Sequence, residues 1–579
     1  CEPAMGSAAF LNEAVNQLAE AYLERKQAEL KTRIPHDQYP QELQKVRMYL
    51  ADRNVFGVDL NPVAVELAEV SIWLNAIYGE QDDNGQPLPA RVPWFGYQLF
   101  AGNSLIGARH QVYNAAALKK GAKPAWHEAP PRRASGDAPR QPDEIWHFLL
   151  PDPGMGDYTD KVAKSLYPED FARLKAWRKA LTAPLGDYEV ARLQQLSQQV
   201  EALWAQHTAA LARDRARTED QLRVWPHELE AKSASSADGI SASSYQNGSN
   251  DRSTRVSRAQ KESIRQQGLL NEDGDLATPF RRLKLVMDYW CALWFWPITR
   301  SADLPSREQW WMEVGAILEG NVVEMETQRG LDLQPTAPEA PQVLVPEVQP
   351  VFEGFETQLP LSQPTGRANP PNLRDKFGQL RISKLRQHFA RVAVVEGIAE
   401  QRRFMHWELC FADVLLGAGP GAAGRAGGGF DLILGNPPWL KVEWNESGIL
   451  GERNPVFAMR KISASDLAKL RAEAFAQFPG LQADWLQELE EAEGTQNFLN
   501  AVQNYPLLQG MKANLYKCFV PLAWGLANAQ GVTGLLHPEG PYDDPEGGSL
   551  REALYARLRL HFQFVNELAL FAEVHHLTK

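Results

Sequence analysis

The chain has 579 residues, a formal net charge of −12, 44% hydrophobic and 23% charged residues, and four cysteines. This composition is that of a globular protein with a sizeable core, and no apolar run reaches the roughly 18 residues that a membrane span requires. Lys and Arg on phosphates supply nearly all nonspecific DNA affinity, so a charge of −12 excludes a chain that coats DNA and leaves room only for a local basic groove. Cys1, Cys291, Cys410 and Cys518 lack metal or disulfide spacing and no signal peptide is visible, which predicts a cytoplasmic protein with no metal site and no membrane partner.

In chain order, Glu2-Pro3-Ala4-Met5-Gly6-Ser7-Ala8-Ala9-Phe10-Leu11 is a small-residue loop running into a helical pattern over Asn12 to Leu30. Glycine and small side chains at such a strand-to-helix turn let the backbone approach a nucleotide-like ligand closely. Val55 to Asp59 reads as an apolar strand ending in an acid, followed by Leu60-Asn61-Pro62 and a helix through Ile77. An acid at the tip of a second strand is how doubly wound folds accept hydrogen bonds from ribose hydroxyls; the alternative for Asp59 is a helix N-cap. Phe100 to Gly107 again runs from an apolar stretch into Asn103-Ser104-Leu105, placing Asn103 either against an adenine ring or in a polar turn.

The middle of the chain carries less information. Arg109 to Asp152 is rich in Pro and Ala and predicts irregular structure, with His110 on the surface, while Tyr167 to Leu222 predicts one long amphipathic helix. Residues 232–257 form a Ser, Asn and Gly run and residues 331–371 a proline-rich tether, both predicted to be disordered. Between them, Phe280 to Trp296 has the apolar pattern of a helix that packs back on the rest of the molecule. Basic clusters at Arg281-Arg282, Lys284 and Arg374 to Arg391 face phosphates or form a solvated helix face. Asp543, Asp544 and Glu546 lie close together, but no apolar strand brings a lysine beside them, which argues against metal-assisted phosphodiester cleavage in this chain.

After a Gly/Ala stretch, Phe430 to Gly435 predicts a buried strand that ends in Asn436-Pro437-Pro438-Trp439. A parallel strand of this kind ends at the sheet edge where α/β folds bind ligands. Two prolines remove backbone donors, so the turn offers carbonyl acceptors, to which Asn436 adds an amide oxygen. Two acceptors on the hydrogens of a planar amine push its nitrogen toward tetrahedral geometry and free its lone pair for attack on a methyl sulfonium. Trp439 supplies a face on which a base drawn out of a duplex stacks. The plainer alternative is an ordinary turn beside a core aromatic.

Together and in this order, the four segments resemble the N6-adenine DNA methyltransferases of the large restriction-modification and phage-defence type, of which BREX-like, DISARM-like and type IIG-like adenine methylases are examples. Glu2 to Leu11 is similar to that family's Asp-Pro-Ala-Cys-Gly-Ser-Gly-x-Phe-Leu cofactor loop, with Glu2 for Asp, Met5 for Cys and Ala8 for the second Gly; Ala8 crowds the loop if its position requires a positive φ. His406-Trp407-Glu408, Asn514-Leu515-Tyr516-Lys517, Gly531 to Pro538, a helix over Leu550 to Leu558 and Phe562 to Phe571 extend the likeness.

The resemblance implies an α/β, Rossmann-like class I S-adenosylmethionine-dependent methyltransferase fold with a large, mainly helical insertion. Residues 1–107 form the cofactor-binding half, 108–403 the insertion and 404–579 the catalytic half. It implies S-adenosylmethionine held by Glu2, Pro3, Ala4, Gly6, Ser7, Phe10, Asp59, Leu60, Asn103, Ser104 and Leu105, and catalysis by Asn436, Pro437, Pro438 and Trp439. The implied activity is site-specific adenine methylation of double-stranded DNA in a defence system, beside helicase or nuclease subunits, with a recognition domain beyond Lys579. An RNA or protein-amide acceptor and a non-catalytic sensing subunit stay open, whereas carbon-5 methylation is disfavoured because no cysteine occupies the catalytic turn.

Overall fold

The computed structural model describes residues 1–80, 86–226, 256–268, 274–321, 372–417, 428–459, 464–511 and 514–568. The predicted tether at 331–371, nearly all of 232–257 and the end of the chain after residue 568 lie outside the described residues.

Two pairs of parallel strands set the frame. β1 (Gly57–Asp59) pairs with β2 (Leu99–Ala101), and β6 (Phe430–Gly435) pairs with β7 (Ala527–Leu535) with Ile433 opposite Thr533 and Gly435 opposite Leu535. The extended residues Cys1 and Glu2 join the pairs. Glu2 N–H donates to Phe56 O at 3.0 Å and Val58 N–H to Glu2 O at 3.0 Å. On the other side Cys1 N donates to Leu432 O at 2.8 Å and Leu434 N–H to Cys1 O at 3.0 Å. Five extended segments therefore lie side by side in the order β7, β6, Cys1–Glu2, β1, β2. The mostly apolar reading of β6 fits an inner parallel strand, with Phe430, Ile433 and Gly435 buried and Asp431 exposed.

Helices α1 (Ala9–Leu30), α2 (Tyr39–Asn54) and α3 (Pro62–Ala76) connect the first segments and share one apolar cluster that includes Leu11, Val15, Ala51, Val65 and Ile72. The molecule is thus mixed α/β and mainly helical.

The middle departs from the sequence reading in three places. Arg109 to Asp152 is not irregular throughout: β3 (Gln111–Asn114), β4 (Arg132–Arg133) and β5 (Glu144–Trp146) form an antiparallel sheet in the order β4-β3-β5. Strands of two to four residues are too short for alternation to stand out among Pro and Ala. His110 is not a surface residue, because its ring packs between Trp146 and Trp204 at 4.5 and 4.6 Å. The long amphipathic helix breaks between Pro168–Leu181 and Asp187–Thr218. Pro184 lacks an N–H to continue it, and Gly186 starts the next helix with its own N–H on Glu189 Oε2 at 2.8 Å.

The Pro279–Ala292 helix is buried on every side from Leu285 onward and packs on the Asp187–Thr218 and Ala390–Arg402 helices. Two indoles anchor this core, with Trp290 and Trp311 N–H donating to Leu150 and Leu149 O, both at 2.9 Å. His406 stitches it to the parallel layer. Its Nδ1 accepts from Ala108 N–H at 3.0 Å, so Nε2 carries the proton and meets Asp288 Oδ1 at 3.0 Å, while Lys284 holds the other oxygen at 2.9 Å. Burial keeps His406 below the ordinary histidine range.

Candidate functional site

All four sequence motifs emerge at the carboxyl ends of the five parallel segments. Pro3 to Ser7 follows Cys1–Glu2, Leu60 follows β1, Gly102 to Leu105 follows β2, and Asn436 to Trp439 follows β6.

The first loop turns sharply. Met5 N–H donates to Val58 O at 3.1 Å, then Gly6 (φ 52°) and Ala8 (φ 66°) take left-handed conformations before α1 begins. Gly6 and Ser7 are exposed, and nothing lies within 4 Å of where a Cβ on Gly6 would point, so that stretch of backbone is open to a ligand. Ala8 does occupy the positive-φ position anticipated for it, fully buried beneath the loop. Phe10, in the first turn of α1, is 40% exposed, and Ala4 is half-buried.

Asp59 binds this loop directly. Its Oδ2 accepts from Gly6 N–H and its Oδ1 from Asn61 N–H, both at 2.9 Å. Asn61, not Asp59, caps α3, because Asn61 Oδ1 accepts from Val63 N–H at 3.0 Å. Each half-exposed Asp59 oxygen keeps a lone pair available for a hydroxyl donor. Leu60 beside it is 53% exposed and offers an apolar face.

In the β2 loop Asn103 forms a polar turn, with Oδ1 accepting from Leu105 N–H at 3.2 Å. Ser104 and Leu105 lie below the surface and act as ties: Ser104 Oγ donates to Pro3 O at 2.5 Å, Trp407 indole N–H to Ser104 O at 3.0 Å, and Tyr505 OH to Leu105 O at 2.6 Å.

The Asn-Pro-Pro-Trp turn stands against the first loop. A Cβ on Gly435 would lie 3.7 Å from Glu2 Cγ and 3.9 Å from Pro3 Cδ. Asn436 is exposed, Pro437 buried, Pro438 and Trp439 half-buried. The turn is held from the outer side: Leu536 N–H donates to Gly435 O at 3.0 Å, Trp439 indole N–H to Leu536 O at 3.4 Å, and Leu515 N–H to Leu440 O at 2.9 Å. Asp431, within β6, accepts from Asn528 Nδ2 at 2.7 Å and faces away from this chemistry as a cross-strand tie.

Glu2 sits where loop and turn meet. It is 2% exposed, burial pushes its carboxyl up to about 8 against the pull of the Cys1 terminal amine and then of the Leu11 N–H, and its Oε2 has no partner among the described residues. A buried acceptor of this kind suits a cationic group.

One residue at this edge carried no sequence signal. Arg403 ends the Ala390–Arg402 helix in a left-handed conformation (φ 51°) and lies across two of the loops. Its carbonyl accepts from Asn103 N–H at 2.6 Å and its guanidinium donates to Leu60 O at 2.7 Å. A non-glycine left-handed cap has no fixed residue signature, so only the adjacent Phe404 to Glu408 likeness marks the neighbourhood.

No family model, curated protein or solved structure matches the chain. The predicted basic groove is largely engaged internally: Arg381 pairs with Asp375, Arg386 with Glu396, Arg391 with Glu313, and Arg374 donates to the carbonyls of Glu319 and Gly320. The acids at 543–546 do have a lysine beside them, delivered by the Leu515–Leu526 helix rather than a strand, and Lys517 pairs with Asp544. Among the described residues no group of three or more His, Cys, Asp or Glu is placed to hold a metal ion, and no helix is long and apolar enough to cross a membrane.

Proposed function

We propose that the chain is an S-adenosylmethionine-dependent DNA adenine-N6 methyltransferase, built on a Rossmann-like class I domain with a helical insertion. The observation that carries this reading is the pairing of β6 with Cys1–Glu2, with the Glu2 and Pro3 side chains against Gly435, which sets the amine-gripping turn one strand from an open, glycine-bearing loop at the same sheet edge. The segment order, with connection reversing between Cys1–Glu2 and its two neighbours, places both beside a topological switch point, where open α/β sheets take ligands.

S-adenosylmethionine would supply an electrophilic methyl group on sulfonium. The residues that fit it are Asp59, with lone pairs for the ribose hydroxyls, Leu60, with an apolar face for the purine, the open backbone at Gly6–Ser7, and Glu2, whose unpartnered oxygen suits the ammonium. Asn436, exposed at the end of β6, accepts one hydrogen of the target amine, and a proline carbonyl of the turn accepts the other. Trp439, fixed through Leu536 O, provides the stacking surface that offsets the few kcal/mol or so of base extrusion. The neutral amine would take the methyl as the sulfonium carbon–sulfur bond breaks and S-adenosylhomocysteine leaves, and the proton it then loses would pass to water, so no side-chain base is needed.

Double-stranded DNA is the acceptor in this reading, and its phosphates are not assigned to Arg374–Arg391, whose side chains are engaged within the protein. The test is transfer of tritiated methyl from S-adenosylmethionine to unmethylated DNA, RNA and protein, followed by digestion to identify the product. N6-methyladenine formed by the wild type and not by Asn436→Ala supports the proposal. Label in RNA or protein alone replaces the acceptor, and cofactor binding without any transfer supports a sensing subunit.

A further inference from the structure

Arg403 presents a conflict that the fold alone does not resolve. The position is the left-handed cap of a helix, where glycine or asparagine costs least, yet an arginine occupies it with φ 51° and ψ 53°. The strain alone does not call for an arginine, since Lys31 caps α1 with φ 53°, so what decides is what the side chain contacts. The cap itself needs only the backbone: Arg403 N–H donates to Ala399 O at 2.7 Å, and Arg403 O takes Asn103 N–H. What only arginine adds is the guanidinium.

That guanidinium donates to the carbonyl of Leu60, the residue after Asp59, from a position 343 residues later in the chain. It therefore bridges the ends of β1 and β2, the two loops that bound the nucleoside end of the site. Its remaining donors have no acceptor among the described residues, and Arg403 is exposed. A planar, weakly hydrated cation held by one hydrogen bond at the mouth of such a site is suited to stack on a purine.

We propose that Arg403 is a positioning residue for the purine nucleoside portion of the cofactor: it fixes the Leu60 carbonyl and with it the loop carrying Asp59, and it lays its guanidinium plane against the base. This rests on the reading of the site as an adenosyl-cofactor site. It also assigns the end of the insertion a direct part in ligand binding, since the residue that closes the nucleoside end arrives with its last helix.

The choice of variant separates this role from capping. Arg403→Gly keeps the left-handed cap and relieves its strain, so a purely structural Arg403 predicts an equal or higher Tm and unchanged binding. The proposal predicts an equal or higher Tm together with roughly tenfold weaker binding of both S-adenosylhomocysteine and adenosine by calorimetry, because the lost interaction lies at the nucleoside. Unchanged affinity in Arg403→Gly, or a loss for S-adenosylhomocysteine with none for adenosine, overturns it. Arg403→Asn, which also tolerates the left-handed conformation, is held to the same criteria if the glycine variant does not fold. A wild-type chain that binds neither ligand overturns the reading of the site and leaves a different result from either of these.

Discussion

The insertion core and the carboxyl edge of the parallel segments differ in how open their polar groups are. In the insertion, Trp290 and Trp311 donate to carbonyls, Arg192 is paired with Glu319, Arg391 with Glu313, and Tyr289 OH donates to Glu313, while Trp294 and Trp310 N–H, Gln111 Oε1 and the Nδ1 atoms of His147 and His207 are among the buried atoms with no partner among the described residues. At the edge, Glu2 has an unpartnered oxygen, Asn436 is exposed and Gly6 offers open backbone. Leaving a buried acceptor without a partner costs about 1–3 kcal/mol. The difference between the regions is one of access: the unpartnered atoms of the insertion are sealed in its core, whereas Glu2 lies beside exposed backbone and the exposed Asn436.

Substitutions in the two regions should therefore separate stability from activity. The largest effect is expected from Trp290→Ala, which removes a fully buried indole and its hydrogen bond; loss of about 3–5 kcal/mol in denaturant unfolding is expected, and a loss under 1 kcal/mol would mean the core is loosely packed. Asn436→Ala is expected to do the reverse: methyl transfer falls roughly hundredfold or more, as when one preorganised polar contact to a reacting group is lost, while Tm and cofactor Kd stay near wild type. Equal loss of binding and transfer would give Asn436 a folding role. Asp59→Ala should weaken cofactor binding by about 10- to 100-fold through lost hydroxyl contacts, and should also lower Tm modestly because Gly6 and Asn61 N–H lose their acceptor.

The smallest and most diagnostic effect concerns pH. Burial raises Glu2 from an ordinary 4.5 to about 8, so the folded chain binds more protons than the unfolded chain between those values. The stability contributed by neutral Glu2 is complete below about 4.5 and is lost progressively as pH rises to about 8. A cationic ligand group that pairs with ionised Glu2 reverses the trend for binding: S-adenosylhomocysteine affinity should rise from pH 6 to 8, with proton release detectable by calorimetry in buffers of different ionisation enthalpy. Glu2→Gln should flatten both profiles, and a wild-type affinity that does not change with pH would remove Glu2 from the ligand site.

The sequence made β6 legible to the residue, because an apolar run interrupted only by Asp431 stands between a Gly-rich stretch and two prolines. It also located the acid Asp59, since an acid at a strand end has a local signature, whereas a positive φ at Ala8 entered only as a condition attached to the family resemblance, which the structure meets at φ 66°. Other features depend on partners far away in sequence. The Arg391 side chain was open to a phosphate reading until Glu313, 78 residues earlier, was found against it. Arg403 carries no local mark because its conformation is set by the helix before it and by Asn103. The Cys1–Glu2 segment is too short for any periodicity of its own and is legible as the first strand only through the loop motif that follows it, while its central place between β6 and β1 depends on distant partners.

That central placement has a consequence for how the molecule is made. Cys1 and its neighbour Leu432 are 431 positions apart. At translation rates of roughly 5–20 residues per second, on the order of half a minute passes between the synthesis of one and the other. During that interval the Glu2 side of the layer is an open edge, and the whole insertion must emerge before β6 can cover it. The carboxyl edge proposed as the cofactor site is then completed by residues made late, β6 and the Arg403 segment among them, so a ribosome that stops short of them releases a chain whose parallel layer is unfinished.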